Sequence, residues 1–166
     1  MDSYLEKLSR ELEETIRTTG FASTPLADGK WSPAQTLEHL FLTYKGTNAG
    51  VARCLETGQP MASPRKFMDR VRTFAVVRAG YFPSGRKSPE RAIPKGIPAD
   101  EVQRSILPEI QKMDAGFEEC IRRFGPRTRL LDHPVLGPLT VEEWRRFHYM
   151  HGRHHARQIR ERAGGK

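Results

Sequence analysis

The chain has 166 residues, 37% of them apolar and 29% charged, with a formal net charge of +8. This composition is typical of one soluble globular domain, which we expect to cover residues 1–166. No apolar run is long enough to span a membrane, and residues 1–20 are too charged for a signal peptide, so a cytoplasmic protein is expected. Cys54 and Cys120 are far apart and lack a CxxC spacing, which predicts free thiols.

The positive charge is concentrated near the C-terminus. From Ile121 onward the chain has eleven Lys or Arg residues and four Asp or Glu residues. This excess favours an anionic partner, which could be a small molecule, an acidic surface or nucleic acid. Alternatively, the arginines only solvate the outer face of the last helix. Nucleic acid is the less favoured partner, because the sequence has no recognisable nucleic-acid-binding motif and no aromatic residues interspersed among the basic ones.

Three helices are predicted in the first half of the chain. The first spans about residues 3–19, where leucines recur at helical spacing. The second opens at Ser32 with an N-cap, a Pro and a capping-box Gln, and ends near Thr57. The third starts at Ser63-Pro64 and ends near Gly80, and its predicted apolar face consists of Phe67, Val71, Phe74 and Ala75.

The second half begins with a crossover. Residues 82–98 are rich in Pro and Gly and predict a long loop that could cover one end of the molecule. A helix over 99–124 should be kinked or interrupted after Leu107 by Pro108. Little in 125–139 favours a strand, and the last helix follows over 140–162. The fold class is therefore all-α, a four-helix bundle with long crossover loops whose interior can hold a metal.

The last helix carries four of the six histidines. His151 and His155 fall at the centre of a stripe that is apolar at both ends, and an i, i+4 pair stands about 6 Å apart along the axis. Both imidazoles can therefore reach one metal ion. The alternative is a solvated basic helix end, but buried imidazoles need a partner to offset their desolvation. On the second helix, His39 lies off the main apolar face and is either exposed or part of a cavity wall.

Three stretches resemble one known superfamily. The stretches are WSPAQTLEHL (31–40), HPVLGPLTVEEW (133–144) and HGRHHARQI (151–159). They are similar, in order and spacing, to motifs of the DinB-like, or YfiT-like, superfamily of proposed metalloenzymes. The resemblance covers essentially the whole chain. It implies a four-helix bundle, commonly a homodimer, with a divalent metal near one end. The implied ligands are His39, His151 and His155.

The same resemblance implies a range of reactions. Members of known activity include S-transferases and isomerases that use low-molecular-weight thiols such as bacillithiol or mycothiol, whereas the branch most similar to this chain has no established reaction. Three neutral imidazoles would leave a Zn²⁺ or Ni²⁺ ion with at least one open coordination position. That pattern is typical of catalytic sites. Thiol S-transfer is the reaction that the resemblance implies, and with hydrolysis as the other possibility we expect a metal-dependent enzyme acting on a small anionic substrate.

Several polar residues are predicted around this site. Gln158, Asp132 and Glu38 could accept the second N–H of a ligating imidazole. His148 and His133 could carry protons at the cavity mouth or be ordinary surface or capping groups, and His154 is expected to face another helix. Arg157 is the predicted contact for the substrate anion.

Two other functions stay open. The first is a metal-binding bundle without catalysis, serving as a sensor or a degenerate relative, in which the metal would be coordinatively saturated. The second is a basic nucleic-acid-binding protein, whose affinity would fall steeply with salt and would not respond to chelators.

Overall fold

The chain is mostly helical in the computed structural model, which describes residues 1–21, 29–78, 80 and 88–164. Within them lie the helices and strands α1 (Ser3–Thr18), α2 (Pro33–Thr57), α3 (Phe67–Thr73, continued by a π-helical turn, Phe74–Arg78), a 3₁₀ turn (Glu90–Ala92), α4 (Ala99–Phe124), β1 (Arg129–His133), β2 (Gly137–Thr140) and α5 (Val141–Gly164). The broad all-α expectation is confirmed, with one small sheet added. No described helix is both long and apolar enough to cross a membrane.

Two capping boxes set the starts of the helices that carry the histidines. Ser32 accepts a hydrogen bond from the amide of Gln35, whose side chain accepts in return from the amide of Ser32. Thr140 and Glu143 form the same reciprocal pair before α5. Each box satisfies two amides that the first helical turn leaves without partners. Both predicted helix starts are confirmed.

The four long helices share one apolar core. α1 packs on α5, and α2 packs on both α4 and α5. At Gly152 of α5 the helices approach closely, since a Cβ atom there would lie 2.2 Å from a methyl group of Leu8 and 3.0 Å from the hydroxyl of Tyr44. A side chain at this position would push α5 away from α1 and α2. The helix carrying His151 is therefore held tightly against its neighbours.

A β-hairpin joins α4 to α5, so the expectation of no strand in 125–139 was wrong. β1 and β2 pair antiparallel, with His133 opposite Gly137. Nδ1 of His133 accepts hydrogen bonds from the amides of Val135 and Leu136, and Gly137 adopts a φ of +74°. The sequence analysis overlooked this turn chemistry, in which a side chain caps the turn and a glycine takes the left-handed conformation.

The third helix differs from its prediction in start and in orientation. α3 begins at Phe67, where the Asp69 carboxylate accepts from the amide of Lys66. Phe67 is 76% exposed and Phe74 66% exposed, whereas Asp69 and Thr73 face the interior. The predicted apolar face was therefore wrong. Asp69 and Thr73 turn inward because they contact the hairpin: Thr73 donates to the carbonyl of Leu136, and Asp69 lies against Gly137.

Pro108 does not interrupt α4, which continues from Ala99 to Phe124. The proline is exposed, whereas Ile106 and Ile110 on either side of it are fully buried. Burial of these neighbours offsets the hydrogen bond that the proline removes. Of the predicted kink or interruption after Leu107, the interruption does not occur.

The described part of the crossover, residues 88–98, is attached to α2. The carboxylate of Glu38, which is 2% exposed, accepts hydrogen bonds from the amides of Lys95 at 2.5 Å and Gly96 at 3.1 Å. These bonds hold the 3₁₀ turn of the crossover beside the N-terminal half of α2. The rest of the predicted loop, residues 82–87, lies outside the described residues.

Candidate metal centre

Three imidazoles from α2 and α5 converge on one point. Nε2 of His151 lies 3.3 Å from Nε2 of His39 and 3.0 Å from Nε2 of His155. One ligand atom from each ring lies within 4.8 Å of the other two. These are the three histidines that the sequence indicates as metal ligands. The structure thus brings together residues separated by 112 positions in the chain.

Hydrogen bonds on the far side of two rings assign their tautomers. Nδ1 of His39 lies 2.8 Å from the carbonyl oxygen of Ala92, and Nδ1 of His155 lies 2.9 Å from Oε1 of Gln158. Both oxygens can only accept, so each Nδ1 carries the proton. Each Nε2 is then left with a lone pair. Both lone pairs belong to the nitrogens that converge on Nε2 of His151.

This arrangement fits a bound cation. A proton on Nε2 of His151 could point at only one of the two neighbouring nitrogens, so the other contact would join two lone pairs. A metal ion between the rings would make all three nitrogens ligands. Zn–N bonds of about 2.0–2.1 Å in tetrahedral geometry place ligand nitrogens about 3.3 Å apart. The two observed separations of 3.0 and 3.3 Å are close to that value.

Burial keeps the three rings neutral at neutral pH. Desolvation lowers the pKa of His39, although its bond to the Ala92 carbonyl opposes the shift. It lowers the pKa of His151 well below the usual value, with the charges of His155 and His39 adding to the effect. The pKa of His155 falls to about 3, mainly through burial and then through His39. Neutral imidazole is the form that binds a metal.

The centre has an aromatic wall and a partly open side. The indole of Trp31 lies 5.0 Å from the ring of His39, and Phe147 stacks on His151 at 5.2 Å with an interplanar angle of 14°. His39 is 4% exposed, whereas His151 and His155 are half-buried. A ligand could therefore approach the imidazoles of α5 from solvent.

The three residues predicted to orient the ligands have different roles. Gln158 accepts from His155, as described above. Glu38 contacts the crossover amides, so its effect on His39 passes through the backbone that presents the Ala92 carbonyl. Asp132 is exposed and accepts from the amide of Ser63, on the side of β1. For Glu38 and Asp132, the prediction of direct contact with an imidazole was wrong, because both carboxylates accept hydrogen bonds from backbone amides instead.

Of the two alternatives predicted for His148 and His133, proton carriers or surface or capping groups, the structure shows a capping group at His133 and neither at His148. His148 is fully buried between Trp144, on which it stacks at 5.5 Å, and Tyr44. His133 caps the hairpin turn, and its ring lies 4.4 Å from that of Phe147. Burial lowers the pKa of His148 to about 3 and that of His133 to about 4. Neither side chain therefore offers a proton to solvent at neutral pH.

Arg157, the predicted contact for the substrate anion, and Arg162 lie in different surroundings on the same helix. Arg157 is exposed, and its Nε lies 3.6 Å from a carboxylate oxygen of Glu161. Arg162 donates through Nη1 to the carbonyl of Trp31 at 2.8 Å. His154, expected to face another helix, lies 3.0 Å from the side-chain nitrogen of Gln158 on its own helix.

Sequence reasoning missed two groups for different reasons. The Ala92 carbonyl is a backbone atom, so no residue type marks it. Arg162 could have been found from the stripe of α5, because it follows His155 by seven residues, or about two helical turns.

The fold and this cluster define a mainly helical protein with a possible three-histidine metal site. The family model described as "Protein of unknown function (DUF1569)" matches residues 4–162, so the chain belongs to that family. The description names neither a reaction nor a metal. No curated protein and no solved structure shows a significant match to the chain.

Proposed function

We propose that this protein is a divalent-metal-dependent enzyme whose ion is held by His39, His151 and His155. The observation that carries the proposal is the convergence of their nitrogens, with two of the three lone pairs assigned by hydrogen bonds. Imidazole ligands suit Zn²⁺ and Ni²⁺. The resemblance to the DinB-like superfamily implies the same ligand set and a four-helix bundle.

The chain's own residues would prepare the site for catalysis. The Ala92 carbonyl and the Gln158 side chain fix the rings of His39 and His155 before any ion binds. Three neutral ligands leave the metal charge uncompensated and a coordination position open. A metal so bound supplies a water of lowered pKa, a stabilised thiolate or a polarised carbonyl group. Phe147 and Trp31 restrict water on two sides of the site.

The reaction classes that we propose are hydrolysis and S-transfer with a low-molecular-weight thiol. Cys54 and Cys120 are both free and buried, as predicted for the thiols. Burial raises the pKa of Cys54 and raises that of Cys120 to about 11. A thiolate is the reactive form, so these side chains are poor nucleophiles. A thiol used in the reaction would therefore come from a co-substrate.

Metal content tests the centre itself. The purified protein, His39→Ala and His155→Ala are compared by elemental analysis after loading with Zn²⁺ and desalting, with Arg157→Gln as an exposed control on the same helix. We expect one ion in the unaltered protein and in Arg157→Gln, and loss of the ion in both histidine variants. Circular dichroism should be unchanged in all of them. Unchanged metal content in the two histidine variants would remove the proposal.

Ligand exchange then tests catalysis against simple metal storage or sensing. In the Co²⁺-loaded protein, added azide should change the visible spectrum, because an open coordination position accepts it. A spectrum that does not respond to azide indicates a saturated ion, and would support the non-catalytic function instead.

A further inference from the structure

Arg162 stands at the edge of the proposed metal centre, held from two sides. Its Nη1 donates to the carbonyl oxygen of Trp31 at 2.8 Å and lies 3.1 Å from the hydroxyl oxygen of Thr36. Trp31 is the residue whose indole packs on His39. Thr36 precedes His39 by three residues, which is about one turn of α2. The guanidinium is therefore fixed against the same segment that positions His39.

The position of Arg162 on α5 brings its charge toward the imidazoles. It lies on the stripe of His155, and long side chains on a helix lean toward the helix N-terminus. The two positions stand about 10 Å apart along the helix axis.

Part of the guanidinium is left for a ligand. Nη1 makes both contacts described above, to the carbonyl of Trp31 and to the hydroxyl of Thr36. Nε and Nη2 make no hydrogen bond to another residue in the described ranges. Arg162 is half-buried, so these N–H groups are held in place at the protein surface. A guanidinium offers its donors in a planar fork that matches an oxyanion.

Two other arginines of α5 are paired with carboxylates. Arg160 bonds to the carboxylate of Glu11, and Arg145 bonds to those of Asp114 and Glu118. For Arg162, no carboxylate lies within ion-pair distance among the residues that the structure describes. Its charge adds to that of a metal ion held by three neutral ligands. Glu38, next to His39 in sequence, directs its carboxylate to backbone amides and does not offset this charge.

We propose that Arg162 binds an oxyanion of the substrate, a carboxylate or a phosphate, whose neighbouring atom reaches the open position of the metal. This inference rests on the proposed function and specifies its substrate class. It places the substrate anion at Arg162, and not at Arg157. Binding through two N–H groups would orient the reacting atom as well as neutralise charge.

Anion titrations of the Co²⁺-loaded protein test the proposal, with acetate and inorganic phosphate as probes and the visible spectrum as the readout. We expect Arg162→Gln to weaken binding of the preferred oxyanion by about 10- to 100-fold, the usual loss for a charge-assisted hydrogen-bonded pair. The oxyanion affinity of Arg162→Lys should lie between those of the unaltered protein and Arg162→Gln, because lysine keeps the positive charge but lacks the planar pair of N–H donors. Tighter binding of acetate would indicate a carboxylate substrate, and tighter binding of inorganic phosphate would indicate a phosphorylated one.

The controls separate this role from a structural one. Arg157→Gln should bind the oxyanion like the unaltered protein, and imidazole, a neutral ligand, should bind equally to all variants. Co²⁺ affinity should not fall in Arg162→Gln or Arg162→Lys, because no metal ligand is removed, and circular dichroism should not change. Equal oxyanion affinity in the unaltered protein and both Arg162 variants would overturn the inference, as would the lack of any spectral response to either anion. Failure of His39→Ala and His155→Ala to lose metal would instead overturn the proposed function.

Discussion

The three-histidine centre and a second group, formed by His148 with Tyr44 and Trp144, lie within about one turn of each other along α5. They differ in what their imidazole nitrogens contact. In the metal centre, the Nδ1 atoms of His39 and His155 have acceptors and their Nε2 atoms converge on His151. In the second group, His148 lies between Tyr44 and Trp144. Both nitrogens of His148, the Tyr44 hydroxyl and the Trp144 N–H are buried without a hydrogen-bond partner in the described part of the chain.

Burial lowers the pKa of histidines in both groups, so a lowered pKa does not distinguish them. The difference lies in orientation. Assigned lone pairs that point at one position make a ligand set, whereas His148 presents its ring faces to two aromatic neighbours and packs like a core residue. A histidine-rich helix can therefore carry both a site and a part of the core.

The largest expected difference between the groups is in metal binding. His151→Ala should lose the ion, because His151 is the ligand that both other imidazoles approach. His148→Phe should keep it, since His148 does not converge with the cluster. Isothermal titration with Zn²⁺ measures both. Equal metal affinity in the two variants would show that orientation does not separate the groups.

Next in size is the effect of the residue that orients His155. Gln158→Leu should reduce Zn²⁺ affinity by about 10- to 100-fold, the usual result of removing an outer partner of a ligating histidine. Gln158→Glu is the matched control, because it keeps an acceptor for Nδ1 of His155. Competition with a chromophoric chelator gives the affinities. If the Leu variant bound zinc as tightly as the Glu variant, ring orientation would not depend on this bond.

The pH dependence of stability should report the buried neutral ring of His148. Its folded-state pKa is about 3, so between that value and the ordinary 6.5 the unfolded chain binds a proton that the folded chain does not. Stability is therefore fully present above pH 6.5 and falls as the pH is lowered. Between pH 7 and 5, the loss from one such group is about 2 kcal/mol.

Urea unfolding of the metal-free protein at the two pH values measures this loss, with His148→Phe as the comparison. The variant should lose about 2 kcal/mol less than the unaltered protein over the interval. Parallel losses in both proteins would mean that His148 is protonated equally in the folded and unfolded chains.

The smallest expected effect is on stability at pH 7. His148→Phe should raise the free energy of unfolding by about 1 kcal/mol, because it removes two buried nitrogens that have no partner. His133→Phe should lower it by about 1 kcal/mol, because the partly buried amides of Val135 and Leu136 lose their acceptor. Destabilisation of equal size in both variants would indicate that the nitrogens of His148 are satisfied in solution.

The sequence predicted the helices that carry the site better than it predicted the surroundings. Capping boxes at Ser32 and Thr140 are local signals, and both hold in the structure. The convergence of His39 with His151 and His155 came from the resemblance, because periodicity placed His39 only off the main apolar face. The hairpin and the inward face of α3 were missed because each depends on contacts with the other, between Thr73 and Leu136 for example.

The different surroundings of two arginines near the end of α5 could not be predicted for a related reason. Arg157 and Arg162 are both basic residues near the end of the same helix, and composition cannot tell them apart. Only the packed structure shows that Arg162 reaches the backbone of Trp31 while Arg157 lies beside Glu161.

His39 and His151 are separated by 112 positions, so an ion held by both would act as a staple between the two halves of the chain. Unfolding would have to release it, because the unfolded chain does not hold these rings together. Occupancy would then raise the free energy of unfolding in proportion to the logarithm of free metal, by about 2.7 kcal/mol at a hundredfold excess over the dissociation constant. The supply of metal would thereby influence how long the folded protein persists, in addition to whether it reacts.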